Sequence, residues 1–324
     1  MKTSIHWGIL GAGVIAHKFA EGLKQVQNAE LIAVGSRNKE KAAEFASKFN
    51  LPQSFGSYEE LVASPEIDVI YIATPHPFHC EHTLLCLENN KAVLCEKPLA
   101  MNAIEVEKMI AKAKEKNLFL MEALWTRFLP SILKTEELIQ SGAIGEIIYL
   151  KSDFGFKSDF NPEGRLFNKK LGGGSLLDIG IYPVFIALLL LGEPEEITAE
   201  AFLGSTQVDE SISIINKYKQ GAMAMLHSTL LANTPIETEI AGTTGQIRIH
   251  RKWHNPTFLT YTPNQGEAQE FRFEYKGNGY EYEAQEVTNC LLAGKTHSDL
   301  LPLAFSEKLI KQLDTIRGIC KIEY

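Results

Sequence analysis

Three side chains in two separate segments of this chain could carry acid–base chemistry. Lys97 follows an apolar run within Glu96-Lys97-Pro98, and Asp178 and Tyr182 stand four residues apart in the glycine-led apolar segment 172–183. A lysine ammonium at the end of a strand can hold a substrate hydroxyl and lower the pKa of a neighbouring acid. A carboxylate and a phenol on one face of an apolar helix need polar partners. Both segments are therefore candidates for a chemical site.

Each segment also has a purely structural interpretation. Glu96 and Lys97 could form an ordinary surface pair, and Tyr182 could simply bond Asp178 inside the core. Gly180 and Pro183 both weaken the predicted helix around them, so we expect a local kink there, with Ser175 capping the helix start.

A glycine-rich turn lies near the start of the chain. Residues 7–16 place an apolar run before a G-x-G-x-x-A turn, and a helical pattern follows directly. In such a turn Gly11 permits a tight bend, and Gly13 lets backbone N–H groups approach a pyrophosphate at the helix N-terminus. We therefore expect the chain to bind a dinucleotide.

The second predicted strand ends at Ser36-Arg37, where an NAD-specific site would carry Asp or Glu. A carboxylate would repel a 2′-phosphate, whereas a hydroxyl and a guanidinium bind it with charge-assisted hydrogen bonds. The sequence thus favours NADP, with NAD possible. In the alternative interpretation Arg37 is a solvated surface cation and Asn38 only caps the next helix.

Strand and helix signals alternate through the first part of the chain, with capping boxes at Ser57/Glu60 and Asn102/Glu105. This pattern predicts an α/β fold with a Rossmann doubly wound parallel sheet over residues 1–124. From residue 125 onward the pattern changes to an α+β domain with an open, mainly antiparallel sheet, over 125–324. Helices are predicted near 130–141, 175–191 and 302–320, and strands at 197–203, 211–218, 222–231, 237–241, 246–250 and 270–275.

Composition narrows the classes of partner. The 324 residues carry a formal net charge of -8 without a basic stripe, so we expect no nucleic-acid partner. The start of the chain has no signal-like apolar segment, and the apolar run 181–191 is too short to cross a bilayer, so we expect no membrane and a cytoplasmic location. Five cysteines without a C-x-x-C pair predict buried, reduced thiols. The open sheet predicts a homodimer.

Several motifs together resemble the glucose-fructose oxidoreductase and inositol dehydrogenase (Gfo/Idh/MocA) family. They are Gly11-Ala12-Gly13, Ala73-Thr74-Pro75, Glu96-Lys97-Pro98, and Gly173-Gly174 with Asp178 and Tyr182. Residues 121–130 and 178–183 are most similar to its dimeric dihydrodiol dehydrogenase and NADP-dependent D-xylose dehydrogenase branch. The resemblance implies a Rossmann domain, a second domain that often dimerises through its sheet, and Lys97 and Tyr182 working beside the nicotinamide. Many relatives carry His where this chain has Tyr182, which separates it from the inositol-type enzymes.

The resulting hypothesis is hydride transfer between a nicotinamide and a secondary alcohol or carbonyl of a sugar or cyclic diol. Tyr182 is the acid/base, Lys97 favours its phenolate, and Asp178 orients the substrate or Tyr182. The rival hypotheses are a glycosidase of the same superfamily that retains NAD, and a nucleotide-sensing protein without catalysis. The identity of the sugar or diol and the physiological direction stay open.

The hypothesis assigns further residues to the site. Flat apolar faces suit sugars and aromatic diols, so the predicted substrate contacts are Trp125, Arg127, Phe154, Asp178 and Tyr182. The predicted cofactor contacts are Gly8, Gly11, Gly13, Val14, Ile15, Ser36, Arg37, Thr74, Pro75, His76, His79, Glu96 and Lys97.

Three histidines and a Trp-His pair could also belong to the site. His76, His79 and His82 have a spacing that could suit zinc, but no thiol or carboxylate completes a shell, so we expect no metal. Trp253 and His254 fall in a predicted loop that could reach the substrate pocket.

Overall fold

Six parallel strands form one sheet in the first of the two units into which the chain folds. The computed structural model describes residues 2–324, and the first unit takes residues 2–128 together with 275–307. The strand order β3-β2-β1-β4-β5-β6 is that of a doubly wound Rossmann fold, which confirms the predicted class. The strands are β1 Ile5–Leu10, β2 Ala29–Gly35, β3 Gln53–Phe55, β4 Val69–Ile72, β5 Ala92–Glu96 and β6 Leu120–Ala123.

Two helices of the first unit begin directly after their predicted capping residues. The Ser57 side chain accepts a hydrogen bond from the Glu60 N–H, and Asn102 accepts one from the Glu105 N–H, so both predicted capping residues are confirmed. The helices are α1 Val14–Leu23, α2 Lys39–Phe49, α3 Tyr58–Ala63, α4 His79–Glu88, α5 Ala103–Lys116 and α8 Tyr280–Leu292. Short 3₁₀ turns cover His76–Phe78 and Trp125–Phe128.

An aromatic column ties α8 to the start of the chain. Phe19 stacks on Tyr71 with ring centroids 3.7 Å apart, and Tyr280 meets Phe19 edge-on and stacks on Trp125 at 4.4 Å. Such large buried rings contribute much of the stability of a core. The predicted division assigned residues 275–307, and also Trp125, to the second domain. In the structure they belong to the first unit because these rings pack there.

The second unit, residues 129–274 and 308–324, is built on an eight-stranded sheet. Its order is β14-β13-β12-β11-β7-β10-β9-β8. Among the described strands of this sheet only the β7–β10 pair is parallel, which confirms the prediction of a mainly antiparallel sheet. The strands are β7 Ile147–Gly155, β8 Glu196–Leu203, β9 Asp209–Lys217, β10 Met223–Thr229, β11 Thr238–Gly242, β12 Gly245–Ile249, β13 Leu259–Pro263 and β14 Gln269–Phe271. β7 and β13 are additional to the predicted strands.

The two faces of this sheet differ. Two helices of this unit are α6 Pro130–Gln140 and α7 Ile181–Leu191, and α7 packs on the face where β7 and β10 bury Leu150 and Leu226. The opposite face leaves large apolar side chains exposed. Ile215 and Met225 are cross-strand neighbours there, 40% and 48% exposed, and Phe202 and Met223 share the face. The remaining helix, α9 Leu303–Cys320, begins in the first unit and continues in the second.

One helical stretch, Lys169–Leu191, is long and apolar enough to cross a membrane by length and composition, which the shorter run 181–191 is not. Of its apolar window, 83% is buried inside the protein, as in the core helix of a globular unit. The five thiols are all free, as predicted, although Cys80 and Cys320 are partly exposed rather than buried. The cytoplasmic location stays a prediction.

Candidate functional site

A cradle for an anion forms where β1 meets α1. Gly11 has φ +104°, and a Cβ at this position would lie 3.1 Å from the carbonyl oxygen of Ala73. Gly13 is the N-cap of α1, and a Cβ there would meet nothing within 4 Å. The first turn of α1 carries no acidic residue, and no side chain caps its N–H groups. These open N–H groups, together with the helix dipole, suit a pyrophosphate.

The cradle opens into a cavity of about 560 Å³. Of the predicted cofactor contacts, Gly11, Gly13, Ser36, Arg37, Thr74 and Pro75 line it, and Ala12, Asn38, Lys41, Tyr58 and Ala73 complete its wall. Gly8 instead lies within β1 and faces Ile67 and Leu61, where a Cβ would crowd the packing. Val14 and Ile15 are in the first turn of α1, and Val14 is 78% exposed.

Arg37 is held at the rim of this cavity by its neighbours. Its guanidinium lies 5.9 Å from the ring centre of Phe78 and bonds the hydroxyl of Tyr58, whose pKa is raised by burial and lowered again, in part, by Arg37. Asn38 does cap α2, by accepting from the Lys41 N–H. Arg37 is exposed and lies beside Ser36 on the wall of the cavity, so its predicted contact with a 2′-phosphate stays a prediction.

The three histidines at 76, 79 and 82 occupy different surroundings. His79 is fully buried, and its two ring nitrogens lie 2.7 Å from the carbonyl oxygens of Pro98 and Thr74. Burial lowers the pKa of His79 to about 4, so the neutral ring carries one N–H and donates to one carbonyl at a time. The predicted direct contact of His79 with a cofactor does not fit this burial. His79 instead fixes the loops that follow β4 and β5.

His76 and His82 both lie close to the segment that His79 fixes. The His76 ring lies edge-on to His79 at 5.7 Å, and His82 bonds the Thr74 hydroxyl. Burial lowers the pKa of His82 to about 4, with a further lowering from Arg37. Across residues 2–324, no group of three His, Cys, Asp or Glu side chains is placed to hold a metal ion.

Lys97 follows β5 and stands beside a buried carboxylate. The adjacent Glu96 accepts the Tyr71 hydroxyl and the Lys97 backbone N–H, and it is only 7% exposed. Glu283 of α8 is fully buried, and its pKa is raised well above the usual range by burial and by Glu96. Since two neighbouring buried carboxyls do not both ionise readily, Glu283 favours the neutral form.

Glu122, at the end of β6, is a third buried carboxyl in this unit. One of its oxygens accepts the Leu99 N–H at 2.9 Å. Burial raises the pKa of Glu122 to about 7, against this hydrogen bond. Glu122 belongs to no sequence motif, because its chemistry arises from burial.

Two predicted substrate contacts are held inside the first unit. Trp125 stacks on Tyr280 and is 6% exposed, and Arg127, also 6% exposed, donates from Nε to the Leu300 carbonyl oxygen at 2.8 Å. The structure therefore uses Arg127 to fix the returning segment 275–307. This differs from the predicted role in a substrate pocket, because the guanidinium is turned to a backbone carbonyl.

In the second unit, the segment that carries Asp178 and Tyr182 begins as a π-helical turn, Leu176–Gly180, before α7. The predicted kink is this turn, a local feature often found at functional sites. The predicted cap is different. Ser175 accepts no capping bond, and the buried carboxylate of Asp209 instead accepts the Leu176 N–H at 2.6 Å and the Ser175 hydroxyl at 2.9 Å. Burial raises the pKa of Asp209 to about 6.

The Asp178 carboxylate is paired with a residue that the sequence did not reveal. Arg165 donates from its two terminal nitrogens to the two carboxylate oxygens at 2.9 and 3.0 Å, a bidentate ion pair. The Asp178 side chain is 9% exposed, and that of Arg165 is 45% exposed. Arg165 lies in an irregular loop without periodicity, so no sequence signal pointed to it.

Tyr182 belongs to an aromatic cluster in the second unit. Its ring centre lies 5.6 Å from Phe154 on β7 and 5.2 Å from His254, and Phe154 stacks on His254 at 3.9 Å. Tyr182 is 6% exposed, and Trp253, next to His254, is fixed by its Nε1–H bond to the Asp153 carbonyl oxygen. Phe154 and His254, which were both predicted to be near the substrate, therefore both contact the Tyr182 ring.

Comparison with known proteins identifies the class. Residues 5–124 match the Gfo/Idh/MocA oxidoreductase family, NAD-binding Rossmann fold, and residues 132–248 match the C-terminal domain of the same family. The chain belongs to this family. It is similar to the trans-1,2-dihydrobenzene-1,2-diol dehydrogenase of Xenopus tropicalis, at 41% identity over 95% of this chain and 96% of that protein. The human protein of that name is 35% identical over 97% of this chain and 96% of its own.

Two solved structures share the fold along nearly the whole chain. A 3-ketoreductase from Actinomadura kijaniata, in complex with NADP and TDP-benzene, has a TM-score of 0.88 at 25% identity and covers 98% of both chains. Levoglucosan dehydrogenase in complex with NADH and levoglucosan also has a TM-score of 0.88, at 21% identity over 98% of this chain and 97% of that one.

Replacing Glu122 by Gln should change how stability depends on pH. A folded-state pKa of about 7, against 4.5, means that the native state binds more protons than the unfolded one between these values, so stability falls as pH rises through that window. The Glu122→Gln variant lacks this loss. Its advantage in the free energy of unfolding should grow by roughly 2 kcal/mol from pH 5 to pH 8 in urea titrations.

The control for this titration is Glu44→Gln, which neutralises an exposed carboxyl on α2. We expect its stability difference from the wild type to stay level between the two pH values. A Glu122→Gln difference as flat as that of the control would contradict the raised pKa.

Proposed function

We propose that the protein is an NADP-dependent oxidoreductase that interconverts a secondary alcohol and a carbonyl group on a sugar or a cyclic diol. Support comes from membership of the oxidoreductase family and from relatives named as diol dehydrogenases. The solved 3-ketoreductase complex, which contains NADP, points the same way. The observation that carries the proposal is Tyr182, a nearly buried phenol packed among aromatic rings and four residues after an ion-paired aspartate.

The residues of the first unit fit NADP. The open space at Gly13 and the uncapped N–H groups of α1 would receive the pyrophosphate, and Arg37 with Ser36 would receive a 2′-phosphate. When bound, the nicotinamide supplies or accepts the hydride. The protein must then manage the proton and the orientation of the substrate.

Tyr182 manages the proton in this proposal. It donates its phenolic proton to the substrate oxygen during reduction and accepts it back during oxidation. A phenol with a pKa near 10 is a poor base at neutral pH, so a nearby positive charge is required to favour the phenolate. Lys97 supplies that charge, and Asp178 accepts a hydrogen bond from a substrate hydroxyl.

Removing the phenolic hydroxyl or the ammonium should abolish most of the turnover. For Tyr182→Phe and for Lys97→Met we expect kcat to fall about 10²- to 10⁴-fold, the usual contribution of general acid–base catalysis. NADPH binding, followed by fluorescence, should persist in Tyr182→Phe. Assays would use D-xylose and trans-cyclohexane-1,2-diol as substrates.

Tyr218→Phe is the matched control, since Tyr218 is another buried tyrosine of the second unit, with its hydroxyl bonded to Asn216. Wild-type turnover in Tyr182→Phe, with NADPH still bound, would rule out Tyr182 as the acid/base. A wild-type protein that turns over neither substrate with NADP or NAD would rule out the proposed activity.

Arg37 should set the preference between the two nicotinamide nucleotides. Arg37→Gln removes the guanidinium that would bind the 2′-phosphate, so the Kd for NADPH should rise about tenfold to a hundredfold, the value of one or two charge-assisted hydrogen bonds. The Kd for NADH, measured on the same variant, is the internal control and should change less than about twofold. An equal loss for both nucleotides would mean that Arg37 supports the fold and does not read the phosphate.

We further propose that the exposed apolar face of the eight-stranded sheet binds a second copy of the chain. Ile215→Arg should shift the protein from dimer to monomer in size-exclusion chromatography with light scattering, because a charge on this face cannot be desolvated without a partner. Ile148→Arg is the control, since Ile148 is 46% exposed but points to the opposite side of β7. A wild-type monomer at micromolar concentration would refute the dimer.

A further inference from the structure

The Asp178–Arg165 pair differs from the other arginine–carboxylate pairs of the second unit. Arg272, Arg248 and Arg317 also bond carboxylates, but each bonds only one oxygen of its partner. Those partners, Glu270, Glu237 and Asp314, have side chains that are 52%, 17% and 28% exposed. In the Asp178 pair the carboxylate is nearly buried, and each of its oxygens receives one N–H. A buried carboxylate can stay ionised only when such a partner offsets the free energy of removing its charge from water.

The loop that carries Arg165 is fixed independently of the ion pair. Phe167 packs with Ile179 and Leu230 in one buried cluster, against which Leu166 also packs. The carbonyl oxygen of Leu166 accepts the Gly174 N–H at 2.8 Å. The two residues that follow Arg165 therefore anchor its backbone, so the guanidinium is presented to Asp178 by a preformed loop. Loss of the guanidinium alone should leave this loop in place.

The geometry also fixes the orientation of the carboxylate. The fork of Arg165 bonds one lone-pair position on each of the two oxygens. Because both oxygens are engaged, the plane of the carboxylate is set. An aspartate with one oxygen bonded could rotate and would present a hydroxyl-binding oxygen only part of the time.

We propose that Arg165 is a positioning residue, which holds the Asp178 carboxylate ionised and oriented so that it accepts a hydrogen bond from a substrate hydroxyl. This inference rests on the proposed oxidoreductase function. It adds a residue that no sequence motif contains and that acts through Asp178. It predicts that the contribution of Arg165 to substrate binding exists only while residue 178 is an aspartate.

The test is a steady-state comparison of Arg165→Gln, Arg165→Lys, Asp178→Asn and the double variant Arg165→Gln/Asp178→Asn. The substrate is D-xylose or trans-cyclohexane-1,2-diol, whichever the wild type turns over faster. For Arg165→Gln we expect KM to rise about tenfold to a hundredfold while kcat falls less than about threefold, because an oriented acceptor binds ground state and transition state alike. Arg165→Lys, which keeps the charge but not the fork, should recover part of the loss.

The double variant tests whether the two residues act as one. If Arg165 acts through Asp178, the double variant should be no worse than Asp178→Asn alone. Arg272→Gln, which breaks an exposed arginine–carboxylate pair, is the control and should keep wild-type KM and kcat. The Kd for NADPH should also be unchanged in Arg165→Gln.

Three results would overturn the inference. They are an Arg165→Gln variant indistinguishable from Arg272→Gln, a double variant whose loss is the product of the two single losses, and a loss of NADPH binding in Arg165→Gln. The last would mean that Arg165 maintains the fold. A wild type without turnover, or a fully active Tyr182→Phe variant, would instead overturn the proposed function, so the two failures are distinguishable.

Discussion

The acid–base segment of the second unit depends on one buried carboxylate at the start of its helix. Asp209 accepts the Leu176 N–H and the Ser175 hydroxyl, so it meets the need of a helix terminus for acceptors from a strand distant in sequence. Its burial is costly, since its pKa rises to about 6, yet the helix start is thereby joined to the sheet. The π-helical turn that follows contains Asp178, the acidic residue of this otherwise apolar segment. The positions of Asp178 and Tyr182 therefore depend on the hydrogen bonds that Asp209 accepts at the helix start.

The first unit fixes its lysine segment with a buried histidine and a buried, hydrogen-bonded carboxyl. Loops after β4 and β5 have backbone carbonyls that no strand neighbour satisfies, and His79 lies within hydrogen-bond distance of one carbonyl from each loop. The hydrogen bond donated by Tyr71 holds the Glu96 side chain in place, and the Tyr71 ring in turn stacks on Phe19. These buried rings therefore fix the position of the residue that precedes Lys97. In both units, chemistry-bearing residues are positioned by buried polar partners rather than by loops alone.

The sequence predicts what depends on local periodicity and on motifs. The doubly wound parallel class followed from alternating strands and helices, and the cradle from Gly11 and Gly13. It did not reveal β7, where Lys151, Ser152 and Asp153 interrupt the apolar run and whose parallel partner β10 lies far along the chain. Arg165 was missed because it stands in a loop without a pattern, and Glu122 and Glu283 because burial, which only tertiary packing decides, gives them their properties.

The return of residues 275–307 to the first unit has a consequence for how the chain is made. A ribosome releases the Rossmann strands first, yet Tyr280, which packs on Phe19 and Trp125, emerges only after all eight strands of the second unit. Until then the nascent first unit carries uncovered aromatic surface. Vectorial synthesis therefore delivers every described strand of both sheets before Tyr280 can complete the aromatic column of the first unit.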